Sequence, residues 1–533
     1  MANGIFGAML DCSRNAVMKV EQVKFLIDCL AKMGYNALEL YTEDTYEVEG
    51  EPYFGYLRGR YSGEEIKELD AYAKSKGIEL IPCIQTLAHF TSFFKNDWTG
   101  EIHDLEDILL VGDERTYQFI DHLFASVSKN FSSRKMNIGM DEAHMVGLGR
   151  YLKINGYRNR FDILTEHLNR VVEIAKKYGF ETHMWSDMFF RLVNNGAYCS
   201  DKPILVPESV KAAVPDGVDL VYWDYYPTDK NAYDVMFTSH EGFKGKTWFA
   251  GGAWCQYGFA PFHTNSLKTM RPALQSAKEH GVENILITLW GDNGRDCSPF
   301  AVLPALYTLK AYHDGVFDEE IIKQGFYKLF GVAYDDFVAL EYPNMFAPDC
   351  FDEEKKFWNP CKALLYADPF MGLLDKEVEN NPLIPYARYA KILQKAKART
   401  GRFAYLFDSM QKLCEVLHIK ADLGVRTRKA YKTNDRKQLK VLVKDYKSLE
   451  KKLDDFYSAF FTLWHTDNKP QGFEVQDVRL GGLIRRVKSC RLRLHAYLKG
   501  DLEKIDELEE EILPYSCGLA NHNYQLTVTR SSL

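Results

Sequence analysis

The sequence predicts an α/β fold, a (β/α)8 TIM barrel, followed by an all-α C-terminal domain. Short apolar runs alternate with helical segments over the first three fifths of the chain, as expected for parallel βα units. Eight such units in roughly 315 residues favour a closed barrel over an open doubly wound sheet. No Gly-x-Gly-x-x-Gly loop follows the first strand, which argues against a dinucleotide-binding fold. From about Asp318 the strand signals vanish.

The eight predicted strands are short and apolar, and each is bounded by turn residues or charged residues. They span residues 5–10, 37–41, 79–84, 135–139, 181–185, 219–223, 247–252 and 284–289. Apolar residues at helical spacing predict helices between several of them. These helices span residues 20–33, 63–76, 115–129, 161–178, 266–280 and 299–313.

The predicted domains are residues 1–315 for the barrel and 316–533 for the helical domain. Long amphipathic helices are predicted at 385–430, 436–463 and 478–498. Residues 464–474, between the last two, contain Trp, His, Asn, Pro and Gly. A structural turn is the simpler interpretation because Asn, Pro and Gly explain the break. The alternative is a loop that reaches the barrel or a second subunit, which leaves a homodimer open.

Composition restricts the partners and the compartment. The 533 residues are 46% hydrophobic and 14% aromatic with a formal charge of −7, which indicates a globular protein and neither nucleic acid nor an anionic membrane as a partner. No signal peptide and no membrane-spanning run is expected. The eleven cysteines are odd in number, and no Cys-x-x-Cys pair occurs. We therefore expect reduced thiols, a cytoplasmic protein, and neither a metal nor a cofactor.

Two adjacent carboxylates, Asp141 and Glu142, follow the fourth predicted strand. As a strand opens into a loop, both side chains can turn toward one cavity. Carboxylates that share a low-dielectric site cannot both ionise freely, so one can remain protonated and act as an acid. The alternative is that the pair caps the next helix, where Asp and Glu are common.

Aromatic and acidic residues recur at the other strand ends. The second and third strands lead into Glu43, Asp44 and His89, and a Trp stands at or soon after each of the last four strand ends. A single Trp is more often a core residue, but the joint pattern suits a sugar ring, which stacks on indole while its hydroxyls meet carboxylates. The predicted substrate-binding residues are Trp185, Trp223, Asp224, Trp254, Tyr257, Trp290 and Asp292.

The sequence motifs at these strand ends resemble those of glycoside hydrolase family 20, the β-N-acetylhexosaminidases. Residues 137–142, Asn-Ile-Gly-Met-Asp-Glu, resemble the family's (H/N)-x-G-(A/G)-D-E, with Met140 at a position that is usually small. Residues 9–14 resemble L-D-x-S-R, residues 42–44 the acidic end of the second strand, residues 87–89 P-G-H and residues 289–292 W-G-E. The resemblance covers about residues 1–315. The helical region is similar to that of a subgroup whose barrel precedes an α-helical domain.

The resemblance implies an exo-acting enzyme that releases terminal GlcNAc or GalNAc from glycoconjugates. The implied mechanism is retaining and substrate-assisted, with the sugar's 2-acetamido oxygen as the nucleophile. Glu142 would be the acid and base, and Asp141 would hold the acetamido N–H. Tyr225 is the first choice, and Tyr257 the second, for the residue that would donate a hydrogen bond to the acetamido carbonyl. Trp185, Trp254 and Trp290 would enclose the sugar. His89, backed by Glu43 or Asp44, would hydrogen-bond Glu142.

Two residues depart from the family pattern, and two other functions stay open. Phe6 stands where the family usually has an Arg that holds outer sugar hydroxyls, and Asp292 stands where it has a Glu. Both changes leave the choice between GlcNAc and GalNAc open. One alternative is a metal-dependent TIM-barrel hydrolase with the candidate ligands His89, Asp141, His183 and Asp187. The other is a non-catalytic carbohydrate-binding barrel, which would need the Trp residues but not the acid pair.

Overall fold

A computed structural model describes residues 4–345, 360–381 and 383–515. The chain packs into two compact units. The barrel unit comprises Met1–Ala253, Ser266–Trp290 and Ala305–Phe317, and the helical unit comprises Trp254–Asn265, Gly291–Pro304 and Asp318–Leu533. This division departs from a single boundary at residue 315, because two earlier segments pack with the later helices.

The barrel unit contains a closed barrel of eight parallel strands, which confirms the predicted fold class. Neighbours in sequence pair around the barrel, and β1 closes it against β8, with Gly7 opposite both Ala37 and Leu286. The strands are β1 Phe6–Asp11, β2 Ala37–Tyr41, β3 Glu79–Cys83, β4 Lys135–Asn137, β5 Glu181–Trp185, β6 Val218–Trp223, β7 Thr247–Gly252 and β8 Ile285–Leu289. Buried side chains from these strands form a hydrophobic cluster that includes Met9, Tyr41, Ile81, Trp185, Val221, Trp248 and Leu286.

The helices around the barrel agree with the predicted ones to within a few residues at each end. The first ends at Gly34, whose φ of 87° is left-handed, and the second begins with a capping box between Ser62 and Glu65. A helix after β6 was not predicted, since its buried residues run together at Val235, Met236 and Phe237 without clear helical spacing. The main helices are Val20–Met33, Gly63–Ser75, Glu114–Asn130, Arg160–Lys177, Lys230–His240, His263–Glu279 and Leu303–His313.

The helical unit is built mainly from α-helices in its described part, as predicted. The single helix predicted over 385–430 is wrong, because the chain breaks near Gly401, whose φ is 54°, and again between Lys420 and Leu423. The longer helices are Glu319–Phe330, Tyr386–Lys397, Ala404–Lys420, Leu423–Lys432, Arg436–Asp467 and Phe473–Lys499. Among the described residues, no helix combines the length and the apolar character needed to cross a membrane.

Residues 464–474 form a structural turn. The preceding helix continues to Asp467, and the next begins at Phe473. Trp464 is fully buried, its ring centroid lies 5.7 Å from that of Phe473, and its Nε1 donates to the Lys469 carbonyl at 3.1 Å. The turn residues are therefore packed into the core of the helical unit, which favours the structural interpretation over a reaching loop.

The segment 254–265, which follows β7, is anchored within the helical unit. Phe259 packs edge-on against Phe456 and Phe460 at centroid distances of 5.4 and 5.3 Å. Thr264 donates its backbone N–H and its hydroxyl to the buried carboxylate of Glu341, at 2.8 and 2.6 Å. Burial raises the pKa of Glu341 to about 7, against the opposing effect of Thr264.

Candidate active site

Asp141 and Glu142 lie in a strained turn after β4. Gly139, Met140 and Glu142 all have left-handed φ angles, of 70°, 70° and 53°. A Cβ at residue 139 would approach Gln85 Oε1 to 2.1 Å, so the turn requires glycine there. The next helix begins only at Arg150, so the acid pair does not cap it.

Three side chains, one from the end of β4 itself and two that follow the neighbouring strands β3 and β5, hold this turn by accepting its backbone N–H groups. Asn137 Oδ1 accepts from Gly139 at 2.9 Å, and Gln85 Oε1 accepts from Met140 at 3.3 Å. Asp187 Oδ2 accepts from Glu142 at 3.2 Å. Each left-handed non-glycine residue costs on the order of 1–3 kcal/mol, which such contacts must offset.

Asp141 is a buried carboxylate with two specific donors. Gln85 Nε2 donates to its Oδ1 at 2.9 Å, and His89 Nε2 lies 3.1 Å from its Oδ2. Burial alone would raise the pKa of Asp141, but His89 and Gln85 bring it below its ordinary value. Asp141 is therefore charged at neutral pH.

His89 pairs with Asp141, which corrects the prediction that it hydrogen-bonds Glu142. Its Nε2 is 4.0 Å from Glu142 Oε2, beyond hydrogen-bond range, and its Nδ1 is 3.9 Å from Glu43 Oε1. Burial opposes the charged imidazole, yet Asp141 and Glu43 raise the pKa of His89 to about 10. The cause of the difference is the turn, which brings the Asp141 carboxylate to the ring. Of the two predicted backing acids Glu43 is the nearer, since Asp44 pairs with Arg58 at 3.2 Å.

Arg14 and Tyr41 extend this network. The Arg14 guanidinium is 3.7 Å from Glu43 and lies 5.0 Å from the ring centroids of both Tyr41 and Trp290. The Tyr41 hydroxyl donates to Glu43 Oε1 at 3.3 Å and accepts from Gln85 Nε2 at 3.1 Å. Burial raises the pKa of Glu43, and Arg14 opposes this effect.

Glu142 is the more exposed member of the acid pair, with 42% of its side chain accessible. The cation nearest its Oε1 in this barrel unit is the Arg191 guanidinium, at 3.9 Å. Arg191 Nε donates to Asp187 Oδ2 at 2.9 Å. Burial and the nearby Asp141 charge raise the pKa of Asp187 to about 7, despite Arg191. Carboxylate crowding thus has its clearest effect on a third acid, Asp187.

Three predicted aromatic residues of the barrel unit lie close together. Trp290 Nε1 donates to the Tyr225 hydroxyl at 2.9 Å, and Trp223 stacks on Tyr225 at 5.6 Å. Trp185 lies 6.1 Å from Trp290, but it is almost fully buried and belongs to the barrel core. Trp223 and Trp290 are only partly buried against that core.

The contacts of Asp224 favour a structural role. Its Oδ1 accepts the backbone N–H groups of Tyr225 and Tyr226 at 2.8 and 3.3 Å, and its Oδ2 accepts from the Tyr222 hydroxyl at 3.1 Å. The Cys199 thiol also donates to Oδ2, at 3.5 Å. Its role in binding substrate stays a prediction.

The other predicted residues, Trp254, Tyr257 and Asp292, belong to the helical unit. The rings of Trp254 and Tyr257 lie 5.3 Å apart. Asp292 begins a short segment in which residues 293–295 all have positive φ angles, of 64°, 116° and 58°.

A buried charged cluster holds this segment. The fully buried Lys362 bonds Asp296 Oδ2 at 2.5 Å and the Asn293 carbonyl at 3.2 Å. Gln476 Nε2 donates to Asp296 Oδ1 at 2.7 Å, and Arg479 donates to the Asn293 carbonyl at 2.8 Å. The conformation that carries Asp292 is thus fixed by helices of the same unit.

Phe6 and His183 lie apart from the acid pair. The Phe6 ring packs against Tyr35 and His313 at centroid distances of 5.0 and 4.3 Å, so it lies beside the ends of two helices that surround the barrel. His183 Nε2 is 2.6 Å from Glu39 Oε1, and its ring stacks on Trp248 at 4.3 Å. The proposed ligands of the metal alternative therefore do not converge. No group of three or more His, Cys, Asp or Glu in the described ranges could hold a metal ion.

The fold is a closed (β/α)8 barrel, and two matches to family models place the protein among the glycoside hydrolases. The catalytic domain of glycosyl hydrolase family 20 matches residues 6–221. The glycoside hydrolase 20C C-terminal domain matches residues 335–525. The chain belongs to glycoside hydrolase family 20.

Several named proteins are similar to parts of the chain. A beta-hexosaminidase of Vibrio furnissii is 28% identical over 173 residues, which cover 26% of this chain and 28% of that protein. Human hexosaminidase D is 25% identical over 232 residues, which cover 40% and 43%. The chain thus spans less than half the length of these relatives. The solved chitobiase of Flavobacterium johnsoniae has a TM-score of 0.48 at 14% identity, covering 87% of this chain and 78% of its own.

The site includes residues that were not predicted as functional. Arg14 lies in a strand-end motif but was given no role, and Gln85 and Arg191 were not predicted at all. The signal for Arg191 is its spacing, since it lies four residues after Asp187 on one helix face.

Proposed function

We propose that the protein is an exo-acting β-N-acetylhexosaminidase that removes terminal GlcNAc or GalNAc by a retaining, substrate-assisted mechanism. The observation that carries the proposal is the asymmetry of the acid pair. Asp141 is buried, charged and bonded to His89 and Gln85, whereas Glu142 beside it is accessible. The mechanism needs one acid of each kind.

In the first step the sugar's acetamido oxygen attacks C1, and the bond from C1 to the leaving oxygen breaks. Glu142 gives its proton to that leaving oxygen, while Asp141 accepts a hydrogen bond from the acetamido N–H and balances the charge of the oxazolinium ion. In the second step water attacks C1 and gives a proton to Glu142, and the oxazolinium ring opens to the acetamide. The two inversions at C1 give net retention.

His89 acts on Asp141 in this proposal. With its pKa raised to about 10, the imidazole is a cation at neutral pH and keeps Asp141 ionised. Tyr225, bonded to Trp290, remains our first candidate for the donor to the acetamido carbonyl, and Tyr257 remains the second. Trp185, Trp223, Trp254, Trp290, Asp224 and Asp292 remain candidates for sugar contacts.

The site gives no basis for choosing between GlcNAc and GalNAc, so the first assay pairs the two. We expect turnover of at least one 4-nitrophenyl N-acetyl-β-hexosaminide, with the β anomer of the free sugar as first product by NMR. A thiazoline analogue of the intermediate should inhibit. Inverted product, or an unchanged rate for Glu142→Gln, would contradict the mechanism. Sugar binding without any turnover would favour the carbohydrate-binding alternative.

We also propose a cytoplasmic location. The nine cysteines in the described part of the chain are all free thiols, and most are buried, which suits a reducing compartment. A homodimer stays a hypothesis, to be checked by sedimentation.

A further inference from the structure

The backbone of Glu142 is held in an unfavourable conformation by a residue from the next strand. Its φ of 53° lies in the left-handed region, which costs on the order of 1–3 kcal/mol for such a residue. Its N–H donates to Asp187 Oδ2 at 3.2 Å, and its carbonyl accepts from the His144 N–H at 2.6 Å. Asp187 begins the helix Asp187–Val193, which follows β5, so the contact joins two adjacent strand ends.

Asp187 is a buried group whose hydrogen bonds are all directed to this arrangement. It is 0% exposed, and its Oδ2 receives both the Glu142 N–H and the Arg191 Nε–H, at 3.2 and 2.9 Å. Its other oxygen, Oδ1, has no hydrogen-bond partner in the structure. A buried carboxylate with an unsatisfied oxygen costs stability, so its presence here calls for another explanation.

Arg191 lies near the carboxylate of Glu142, while Asp187 holds the backbone of Glu142. Bonded to Asp187 through Nε, it presents a terminal nitrogen 3.9 Å from Glu142 Oε1. Its guanidinium also lies over the Tyr198 ring at 5.6 Å, and its NH1 donates to the Gly196 carbonyl at 3.3 Å. The Arg191 side chain is therefore fixed from several sides while it faces the Glu142 carboxylate.

We infer that Asp187 and Arg191 are positioning residues for Glu142: Asp187 fixes its backbone, and Arg191 directs its carboxyl group. The inference rests on the proposed function, in which Glu142 protonates the leaving oxygen. Misplacement of a reacting group by about 1 Å can cost about 100-fold in rate. The loss should fall on substrates whose leaving group needs a proton.

The experiment compares two substrates that differ in this need. In the disaccharide GlcNAc-β1,4-GlcNAc the second sugar departs as an alkoxide unless its 4-oxygen is protonated, whereas the 2,4-dinitrophenyl glycoside has a leaving group that needs little protonation. For Asp187→Ala and Arg191→Met we expect kcat/KM on the disaccharide to fall about 100-fold, mostly in kcat. On the dinitrophenyl glycoside we expect a change of less than about threefold, since general acid catalysis is then hardly needed.

Conservative and matched variants separate positioning from simple damage. Asp187→Asn keeps an acceptor oxygen for the Glu142 N–H and should recover most of the disaccharide activity. Asp219→Ala is the control, because Asp219 also accepts one backbone N–H, from Lys246 at 2.8 Å, and one side-chain N–H, from Trp248 at 2.9 Å. The Asp219→Ala variant should change kcat/KM by the same factor on both substrates or should leave both values unchanged.

The outcomes distinguish this inference from the proposed function. If Glu142→Ala does not discriminate between the substrates, the role of Glu142 as acid fails. If Glu142→Ala discriminates but Asp187→Ala and Arg191→Met reduce both substrates equally, or neither, the positioning role is wrong. Arg191→Met alone decides the matter if Asp187→Ala does not fold, since part of the Arg191 side chain is at the surface.

Discussion

Asp141 keeps its negative charge in a buried position because two neighbours replace the water that it has lost. His89 supplies a cation, and Gln85 supplies a neutral donor. The same contacts orient the carboxylate, so charge and position have one origin. The acid beside it is free of such bonds and remains accessible.

Replacing Asp141 by Asn should therefore have two effects. In the proposed mechanism Asp141 balances the charge of the oxazolinium ion, so loss of its charge should lower kcat by about 100-fold or more. Loss of the anion next to His89 should also lower the imidazole pKa from about 10 toward its ordinary value of 6.5. The second effect can be measured by NMR titration of the imidazole without any substrate. An imidazole pKa that stays near 10 in the variant would contradict the pairing.

The raised pKa of Asp187 should make the stability of the protein depend on pH. Its folded pKa of about 7 lies above its ordinary value of 3.8, so the folded state binds the proton more tightly than the unfolded state. The Asp187 contribution to stability is therefore full below pH 3.8 and is lost as the pH rises to about 7. The free energy of unfolding of Asp187→Asn, which cannot ionise at this position, should rise relative to that of the native protein over this range, by at most about 1.4 kcal/mol per pH unit.

Urea denaturation of both proteins at pH 5, 6 and 7 would measure this difference. Because Glu341 also has a raised pKa, the native protein alone cannot isolate Asp187, but the comparison can. A constant difference across the three pH values would show that Asp187 is ionised throughout.

At the scale of elements, the segment after β8 depends on helices that come later in the chain. Its three consecutive left-handed residues are held by Lys362, Gln476 and Arg479. Positive φ at Asn293 and Arg295 is unfavourable without such contacts. Sequence patterns showed the segment as a strand end, but not what supports it.

Lys362→Met should be strongly destabilising, because it leaves the buried Asp296 carboxylate without its cation. Breaking one side of a buried pair typically costs about 3–5 kcal/mol, which chemical denaturation can measure.

Arg479→Gln should cost less stability and should raise KM for the hexosaminide, if Asp292 contacts the sugar. Arg486→Gln, on the same helix, is the matched control, since Arg486 pairs with Asp368 and has no contact with this segment among its hydrogen bonds. Equal KM values in the two variants would argue against a role for Asp292.

At the scale of the whole molecule, two segments, 254–265 and 291–304, lie among the barrel elements in sequence but belong to the helical unit.

The eight strands could be predicted because buried parallel strands are short apolar runs between turns. The acid pair could be predicted because carboxylates at a strand end are unusual. The partner of His89 could not, since it depends on left-handed residues at 139, 140 and 142 that no hydrophobic pattern reveals.

The division into units could not be predicted either. Hydrophobic periodicity describes neighbours along the chain, whereas Phe259 packs on Phe456 and Phe460. A chain ending at Phe317 should lose these partners together with Glu341 and Lys362. We expect it to bind the dye ANS and to show weak near-ultraviolet circular dichroism, as loosely packed proteins do. A sharp cooperative melt for that fragment would contradict this expectation.

The anchoring of segments 254–265 and 291–304 limits how this protein can be redesigned. Transplanting either loop into another barrel would leave behind the side chains that shape it. A substitution at Gln476 or Arg479 should likewise disturb the segment after β8, although these residues follow it by more than 180 positions in the chain.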